Sequence, residues 1–449
     1  MSHKSFSIKI KNRIKPYNKA IEVDSDKSLS IRSFLIGSIC ENISTVTNVL
    51  ESEDVKSTIE ACKKLGVKIL KLGPGSYKIH GKGLGSLFAK KNTIINCFNS
   101  GTCARLLLGI LSTTPNIEIK ITGDSSLKKR SMKKLVQLLS KFGATFLPKN
   151  KFNFPLKIIS TDMPIGINYF AGVSAQLKSA VMLAGLNSYG NTKIIESIKS
   201  RDHTENLLKK NTAAIKIKYG KKKIIEVYGK KSLKQIRLNV SGDPSSAAFF
   251  TALTLLNKDS FIKIKNVGLN PTRTGFYKLL KIHKAKIKFS NIKKDNNELR
   301  GDILVKSCKL RPITSPGYFY ASTADEYPIL FVLAGLTKGV SVFKNLGDLV
   351  NKESNRVKEM QKVLKQVGIK TISTKSELKI YGKGMIDASD KTITIQKGIH
   401  DHRIHMASFV LALLTGSTTR LKGFDTVFTS SPSFLKIMKQ LGAKFEIQK

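Results

Sequence analysis

Hydrophobic and polar positions follow a pattern that repeats six times along the chain. In each repeat, a loop of small or charged residues precedes a run of small apolar residues long enough for a helix. Successive repeats start roughly 70 to 80 residues apart, well above the period of ordinary solenoids. The pattern predicts six similar α/β units. The loops begin near Asp26, Asn99, Ser174, Asp243, Asp325 and Asp401.

Most repeats continue with a second helix, a glycine or alanine, and a short alternating strand. Glycine is favoured where a helix ends in the left-handed conformation. Ile, Val, Thr and Phe at every second position predict a half-buried strand. The first helices, rich in Ala and Ser, are therefore expected in the core of each domain. Segments of the second kind are CKKLGVKIL, LLSKFGATF, LKQVGIKTI and MKQLGAKFEI.

Composition adds a folded core and a large positive charge to this picture. The chain has 449 residues, of which 41% are hydrophobic, enough for about two to three domains. Its 78 Lys and Arg against 31 Asp and Glu give a net charge of +47, which suggests anionic partners. Most of the excess is scattered Lys, so we favour compositional bias of the surface. The tract 221–223, with Lys230 and Lys231, is interpreted as turns flanking a strand.

Cysteine and histidine usage indicates neither a disulfide framework nor a metal site. Five cysteines occur without a CxxC pair, and the seven histidines form no HExxH motif. The N-terminal segment has no apolar core typical of a secretory signal, and the longest apolar stretches are too short to span a bilayer. A cytoplasmic protein without membrane attachment is expected.

The starts of the predicted apolar helices contain polar and charged residues. Helix N-termini present free N–H groups and the positive end of a dipole, which favours bound phosphate or carboxylate. Ser and Asp also serve as caps at these positions. Lys and Arg gain nothing from that dipole, so they predict an anionic partner. The residues are Lys27, Ser28, Arg32, Asn99, Thr102, Arg105, Ser174, Gln176, Asp325 and Arg403.

Ten segments of the chain contain short motifs in a fixed order. They are DKSLSIRSF, NSGTCARLL, GDSSLKKRSM, SAQLKSAVMLAGL, SRDHTENLL, GDPSSAAFF, NPTRTGF, DEYPIL, NKESNR and DHRIHM. In their order and at compatible spacing, these segments resemble the 3-phosphoshikimate 1-carboxyvinyltransferase (EPSP synthase) family. The similarity extends from Lys27 to the C-terminal LGAKFEI. Three of the motifs, RDHTE, GDPSSAAF and NPTRTG, resemble the branch that includes glyphosate-tolerant enzymes.

The resemblance implies an α/β fold of two similar domains, each made of three βαβαββ pseudo-repeats, with the active site in the cleft between them. The first enolpyruvyl transferase domain is expected at residues 23–240. The second is expected to combine residues 1–22 with 241–449. The chain would cross between domains near Glu22 and Val240.

The resemblance also implies an enzyme that transfers the enolpyruvyl group of phosphoenolpyruvate to the 5-hydroxyl of shikimate 3-phosphate and releases phosphate. This step belongs to the shikimate pathway, which leads to chorismate and the aromatic amino acids. No metal or organic cofactor is implied. The expected partners are the two small-molecule substrates, with no specific nucleic acid and no membrane, and the protein is expected to be a monomer.

Site residues follow from the matching motifs. Those expected to bind shikimate 3-phosphate are Lys27, Ser28, Arg32, Ser174, Ala175, Gln176, Arg201, Asp325 and Lys352. Those expected to bind phosphoenolpyruvate are Lys27, Asn99, Gly101, Thr102, Arg130, Gln176, Arg356 and Arg403. Asp325 matches the group that takes the proton of the 5-hydroxyl, and Glu353 matches the proton donor to the methylene carbon. Lys27 and Lys352 complete the catalytic set.

Two alternatives and several departures remain open. UDP-N-acetylglucosamine enolpyruvyl transferase shares the fold and donor, but its usual loop cysteine has no counterpart in residues 123–128. A nucleic acid-binding protein is suggested by net charge alone. Gly101 lies where some tolerant enzymes carry Ala, Asn355 where Asp is typical, and His405 where a small residue is usual.

Overall fold

The computed structural model describes residues 5–396 and 398–448, which form two compact units. Unit 1 combines the described residues of Met1–Asp24, Ser241–Lys293 and Leu299–Lys449. Unit 2 comprises Ser25–Val240 and the short segment Lys294–Glu298. Each unit has its own hydrophobic core. The chain therefore passes from unit 1 to unit 2 after Asp24 and returns after Val240.

The chain begins in unit 1 with two strands and then builds unit 2. The unit 1 strands are β1 (Ser7–Ile10) and β2 (Asn18–Glu22). Unit 2 contains α1 (Lys27–Ile39), β3 (Ile43–Thr47), α2 (Glu53–Lys64), β4 (Ile69–Gly73), β5 (Ser76–His80), β6 (Ile94–Asn96), α3 (Gly101–Leu111), β7 (Glu118–Thr122), α4 (Ser125–Lys129), α5 (Lys133–Ser140), β8 (Thr145–Leu147), β9 (Leu156–Ile159), β10 (Asn168–Ala171), α6 (Ala175–Gly185), β11 (Asn191–Glu196), α7 (His203–Leu208), β12 (Ile215–Lys218), β13 (Lys223–Tyr228) and β14 (Arg237–Asn239).

The remaining elements belong to unit 1, apart from the tip of the β16–β17 hairpin. They are α8 (Pro244–Leu256), β15 (Phe261–Gly268), α9 (Gly275–Ile282), β16 (Lys286–Asp295), β17 (Glu298–Lys306), β18 (Thr314–Ser315), α10 (Tyr320–Thr323), α11 (Tyr327–Gly335), β19 (Gly339–Lys344), α12 (Arg356–Gln366), β20 (Lys370–Ser373), β21 (Glu377–Gly382), β22 (Thr392–Ile395), α13 (His402–Thr415), β23 (Thr418–Lys422), α14 (Phe434–Gln440) and β24 (Phe445–Gln448).

The strands form six four-stranded sheets across the described residues, and all six share one plan. One outer strand pairs parallel with its neighbour, and that neighbour pairs antiparallel with the next strand. The orders in unit 2 are β14-β3-β5-β4, β6-β7-β9-β8 and β10-β11-β13-β12. Those in unit 1 are β2-β15-β17-β16, β18-β19-β21-β20 and β22-β23-β1-β24. The predicted α/β class with βαβαββ repeats is confirmed.

At each point where the chain changes unit, the last strand pairs within the unit that the chain leaves, although the next helix belongs to the other unit. Strand β2 precedes α1 of unit 2 but pairs parallel with β15 of unit 1, with Ile21 opposite Ile264. Strand β14 precedes α8 of unit 1 but pairs parallel with β3 of unit 2, with Leu238 opposite Val46. Each crossing strand thus supplies the outer strand of the sheet in the unit that the chain is leaving.

Local sequence signals account for the ends of the helices. Asp26 and Asp243 accept hydrogen bonds from the first turns of α1 and α8 at 2.8 Å, so both act as N-caps. The second helices end as predicted: Gly66 after α2 has φ +82° and Gly368 after α12 has φ +78°, a region that favours glycine. Helices α1, α8 and α13 are buried along nearly their whole length, which explains their small apolar residues.

One lysine of the 221–223 tract differs from a surface turn residue. Lys223 is the first residue of β13 and is only 7% exposed, and the contact of its ammonium with Glu205 at 2.8 Å compensates this burial. The interpretation of that residue as part of a flanking turn was wrong. Within the part of the chain that the structure describes, no helix is long and apolar enough to cross a membrane.

Candidate functional site

The start of α1 holds the first residues expected to bind substrate. The backbone N–H of Leu29 donates to Asp26 at 2.8 Å, which places Lys27 and Ser28 in the first turn. The Lys27 ammonium donates to Asp54 Oδ2 at 2.8 Å. Such a charge-assisted hydrogen bond holds the ammonium in place. An anion arriving here would meet a lysine that an internal carboxylate already positions.

Arg32 lies further along α1 and is only 3% exposed. Its Nε donates to the Thr204 hydroxyl at 2.9 Å, and its Nη2 donates to Ser179 Oγ at 3.4 Å. Its Nη1 donates to the carbonyl oxygen of Ser28 at 3.1 Å. These three acceptors are neutral oxygens, and together they orient the guanidinium.

Side-chain hydrogen bonds join the start of α3 to the start of α6. The Gln176 amide donates to Thr102 Oγ1 at 2.9 Å, and Arg105 Nη1 donates to Gln176 Oε1 at 2.8 Å. The same Nη1 reaches the carbonyl oxygen of Gly101 at 3.2 Å. Ser174 is the N-cap of α6, and Ala175 is the first residue of that helix. The structure thus brings together the loops expected to contact phosphoenolpyruvate and the shikimate ring.

Arg130 follows α4 and is tied to the loop before α3. Its guanidinium donates to both the carbonyl and the side-chain oxygen of Asn99, and to Ser126 Oγ at 3.1 Å. Asn99 in turn donates to Asp124 at 2.8 Å. The Nε atom of Arg130 is buried, with no hydrogen-bond partner among the described residues. Buried donors normally have acceptors, so this N–H is a candidate ligand for a substrate oxygen.

Gly101 leaves space that two arginines use. A Cβ atom at this position would lie 2.6 Å from Arg105 Nη1 and 3.1 Å from Arg130 Nη1. The first distance is a clash and the second is tighter than ordinary van der Waals contact. Glycine therefore allows both guanidinium groups to approach the loop.

The site residues of unit 1 gather around Arg356, the first residue of α12, which is fully buried. Its Nε and Nη2 donate to Asp401 at 2.9 and 3.3 Å, and Nη2 also contacts Glu353. Its Nη1 lies 3.6 Å from Asp325 Oδ1. Burial would lower the pKa of Arg356, but the three carboxylates outweigh burial and raise the pKa above its ordinary value.

Arg403 gives Asp325 a second cationic neighbour. Its Nη2 lies 3.5 Å from Asp325 Oδ2, and its Nη1 donates to the Asp325 carbonyl oxygen at 3.1 Å. Lys352 precedes α12 in sequence, and its ammonium contacts Asp348 at 3.4 Å. Arg356, like Arg130, keeps a buried nitrogen, Nη1, with no hydrogen-bond partner within residues 5–396 and 398–448.

Two motifs that had no assigned chemistry meet at Glu326, the residue that follows Asp325. Arg273 of NPTRTG donates to Asp243 at 2.8 Å and to Ser245 Oγ at 3.0 Å. Ser245 of GDPSS donates to Glu326, the residue after Asp325. All four polar partners are at most 5% exposed. These motifs therefore build a buried polar support for the loop that carries Asp325.

Sequence reasoning missed the acidic residues that hold the basic ones. Asp54 is separated from Lys27 by 27 positions, and nothing local connects them. Asp401 is the N-cap of α13, because the Arg403 N–H donates to its side chain at 3.1 Å. Its place two positions before Arg403, a predicted ligand of phosphoenolpyruvate, was the local signal available, whereas its contact with Arg356 spans 45 positions. The departure at Asn355 is accounted for, because its side chain caps α12 through the Lys358 N–H at 3.1 Å.

The fold is that of the enolpyruvyl transferases. The enolpyruvyl transferase NikO from Streptomyces tendae matches with a TM-score of 0.77 over 99% of each chain, at 12% identity. EPSP synthase from Acinetobacter baumannii matches with a TM-score of 0.84 at 32% identity, over 99% of this chain and 100% of that one.

Sequence comparison narrows this class to one family. The model for EPSP synthase (3-phosphoshikimate 1-carboxyvinyltransferase) matches residues 11–438. The 3-phosphoshikimate 1-carboxyvinyltransferase of Paramagnetospirillum magneticum is 36% identical over 435 residues, 96% of each chain. That of Zymomonas mobilis is 36% identical over 441 residues, 98% of this chain and 97% of the relative. The chain belongs to the EPSP synthase family.

Proposed function

We propose that the protein transfers the enolpyruvyl group of phosphoenolpyruvate to the 5-hydroxyl of shikimate 3-phosphate. The 5-oxygen bonds to the central carbon of phosphoenolpyruvate while the methylene carbon gains a proton. The tetrahedral intermediate then loses a methyl proton and expels phosphate, which yields 5-enolpyruvylshikimate 3-phosphate. Family membership over nearly the whole chain supports this reaction, which supplies chorismate and the aromatic amino acids.

The observation that carries the proposal is the cluster around Arg356. This buried cation contacts Asp325 and Glu353, the expected base and the expected acid. A reaction that both adds and removes a proton needs such a pair. A fixed cation beside the pair suits an anionic donor whose charge is redistributed in the transition state.

Shikimate 3-phosphate is proposed to bind at helix starts of unit 2 that combine N–H groups with basic side chains. Lys27 and Arg32 are already oriented by protein acceptors, which reduces the ordering that binding must impose. Arg201 lies two positions before the first residue of α7 and would add a further charge-assisted contact. The proposed ligands in unit 2 are Lys27, Ser28, Arg32, Ser174, Ala175, Gln176 and Arg201.

Phosphoenolpyruvate is proposed to bind Arg130, Arg356 and Arg403. Two of these arginines keep a buried nitrogen without a hydrogen-bond partner among the described residues, as expected of donors reserved for a ligand. Arg403 is 8% exposed and its backbone N–H is fixed by Asp401. The loop residues Asn99, Gly101 and Thr102, with Gln176 and Lys27, complete the proposed set.

The proton transfers are proposed to follow from the charges around two carboxylates. Asp325 lies between Arg356 and Arg403, which favour its ionised form and hence its role as a base toward the 5-hydroxyl. Glu353 shares Arg356 with Asp401. When an anionic donor occupies Arg356, Glu353 loses part of its counter-charge and can hold the proton destined for the methylene carbon. Lys352 and Lys27 are proposed to stabilise charge beside both substrates.

We further propose the domain limits and the cellular setting. The two enolpyruvyl transferase domains are residues 23–240 and residues 1–22 plus 241–449, supported by the two separate cores. The protein is proposed to act as a cytoplasmic monomer on its two small-molecule substrates, without a cofactor.

Membership of the glyphosate-tolerant branch is a separate proposal, supported by the RDHTE, GDPSSAAF and NPTRTG motifs. Gly101 lies where some tolerant enzymes carry Ala, so the motifs and this position point in different directions. Inhibition of turnover by glyphosate at varied phosphoenolpyruvate tests it. Inhibition at low micromolar concentrations would reject the branch assignment.

The proposed activity is tested by phosphate release from phosphoenolpyruvate with each acceptor in turn. Release is expected with shikimate 3-phosphate and absent with UDP-N-acetylglucosamine. Release only with the UDP-sugar would identify the other enolpyruvyl transfer. A matched control is the Glu353→Gln variant, which keeps the shape of the side chain but cannot donate the proton.

A further inference from the structure

A buried hydroxyl on α7 is hydrogen-bonded to a proposed substrate arginine. Thr204 is 0% exposed and accepts a hydrogen bond from Arg32 Nε at 2.9 Å. It donates to Ser179 Oγ at 2.8 Å, and Ser179 Oγ also accepts from Arg32 Nη2 at 3.4 Å. The three side chains are thus hydrogen-bonded to one another, and the hydroxyl proton of Thr204 is donated to Ser179. Thr204 therefore presents a lone pair to Arg32 in one fixed direction.

Helix α7 is itself held by a buried group of four charges. Glu205 contacts the ammonium groups of Lys178 and Lys223 at 2.7 and 2.8 Å. Glu196 contacts the same two lysines at 2.8 and 3.6 Å. None of the four side chains is more than 7% exposed. Two positive and two negative charges compensate each other, which is the condition under which buried ions are tolerated.

The two lysines also keep the carboxylate of Glu205, on α7, ionised. Burial would raise the pKa of Glu205, but Lys178 and Lys223 outweigh burial and lower it, so the carboxylate stays ionised. Removal of either lysine would leave an uncompensated charge. The residue next to Thr204 is therefore immobilised by ion pairs that reach α6 and β13, and the position of the Thr204 hydroxyl is set with it.

The same charge group holds the segment before α7. Glu196 Oε1 accepts hydrogen bonds from the Ser200 N–H at 2.9 Å and from the Ser200 hydroxyl at 2.6 Å. Ser200 directly precedes Arg201, another proposed ligand of shikimate 3-phosphate. Arg32 and Arg201 are thus both connected to α7 and its buried ions, although they lie far apart in sequence.

We propose that Thr204 is a positioning residue that sets the direction of the Arg32 guanidinium toward an anionic group of shikimate 3-phosphate. This inference rests on the proposed function. A guanidinium that binds a phosphate or a carboxylate through two parallel N–H groups needs a defined plane, and the Thr204 lone pair fixes that plane through Nε. Thr204 is buried and acts through Arg32, so its loss affects one substrate more than the other.

The variants Thr204→Val and Thr204→Ser separate hydrogen bonding from packing. Valine keeps the branched shape and removes the acceptor, whereas serine keeps the hydroxyl. The matched control is Thr114→Val in the same unit, because Thr114 is 1% exposed and its hydroxyl bonds only the Ile110 carbonyl oxygen at 2.9 Å among the contacts described. Each variant is characterised by thermal melting, steady-state kinetics and calorimetric titration with shikimate 3-phosphate alone.

For Thr204→Val we expect the Kd and KM for shikimate 3-phosphate to rise roughly tenfold, the effect of one lost hydrogen bond to a charged group. The KM for phosphoenolpyruvate and kcat should stay within about twofold. Thr204→Ser should restore the affinity, and Thr114→Val should leave it unchanged. An unchanged Kd in Thr204→Val, or an equal rise in both KM values, overturns the inference. Ser179→Ala should weaken the same affinity, which supplies a second test if Thr204→Val fails to fold.

Failure of the inference and failure of the proposed function give different results. If the wild-type protein binds shikimate 3-phosphate and Thr204→Val binds it equally well, only the positioning role is refuted. If the wild-type protein neither binds shikimate 3-phosphate nor releases phosphate with it, the proposed function is refuted together with the role of Thr204.

Discussion

Asp401 connects Arg356 and Arg403 in the cluster around Arg356. Replacement of one carboxylate oxygen by an amide nitrogen tests that connection. The Asp401 carboxylate accepts from Arg356 at 2.9 and 3.3 Å, from the Arg403 N–H at 3.1 Å and from Ser354 Oγ at 3.0 Å. The substitution Asp401→Asn keeps the shape of the side chain. It removes the charge and replaces one acceptor oxygen by an amide nitrogen that cannot accept from a guanidinium.

The size of the effect follows from the burial of the pair. Removing one partner of a buried ion pair costs about 3–5 kcal/mol. Asp325 and Glu353 still contact Arg356, and the Asn oxygen still accepts one hydrogen bond, so we expect about 2–3 kcal/mol. At about 2–4 °C per kcal/mol for a domain of roughly 200 residues, the Tm of unit 1 should fall by about 4–12 °C. Because Arg356 loses its anchor, the KM for phosphoenolpyruvate should rise about tenfold.

Thermal melting and steady-state kinetics measure both effects. The control is Asp390→Asn, because Asp390 is 71% exposed and only its neighbour Lys391 contacts it, at 3.3 Å, in the ion pairs described. That change should alter stability by no more than about 0.5 kcal/mol. If Asp401→Asn has the same Tm as the control variant and keeps the wild-type KM for phosphoenolpyruvate, Asp401 does not organise the cluster around Arg356.

Three further predictions concern both units. Gly101→Ala should raise the KM for phosphoenolpyruvate in steady-state kinetics, because the new methyl group would lie 3.1 Å from Arg130 Nη1; an unchanged KM would show that the loop adapts. Asp325→Ala and Glu353→Gln should each lower kcat by about 100-fold or more, and full turnover in either would remove its assigned role. Burial lowers the pKa of His405, so the folded state disfavours its protonation and loses stability as pH falls below about 6.5. His405→Gln should therefore show a smaller drop in Tm between pH 7 and 5.5, and an equal drop contradicts the assignment.

Features encoded over a few residues could be predicted from the sequence. The first helices, their caps at Asp26 and Asp243, and the glycines that end α2 and α12 all depend on neighbouring positions. Hydrophobic periodicity and repeated spacing then gave the α/β class. The expected ligands of α3 and α6 could also be grouped, because each lies at the start of a repeat helix, and the structure joins them through Thr102 and Gln176.

Features that depend on pairing across long separations could not be predicted. Thr204 and Arg32 are 172 positions apart, and nothing in either segment marks the contact. Lys223 looked like part of a solvated basic tract, but an ion pair with Glu205 compensates its burial. The pairing of β2 with β15 and of β14 with β3 is likewise a tertiary feature, because each crossing strand is followed in sequence by a helix of the other unit. In such cases the local pattern is compatible with several partners, and only packing selects one.

The fate of the bridging oxygen of phosphoenolpyruvate tests the central claim most directly. Transfer of an enolpyruvyl group breaks the bond between the central carbon and this oxygen, so the oxygen must leave with phosphate. With donor labelled at that oxygen and shikimate 3-phosphate as acceptor, mass spectrometry should find the label in phosphate and unlabelled 5-enolpyruvylshikimate 3-phosphate in equal amount. Label retained in the organic product, or phosphate formed without that product, would contradict the proposed reaction.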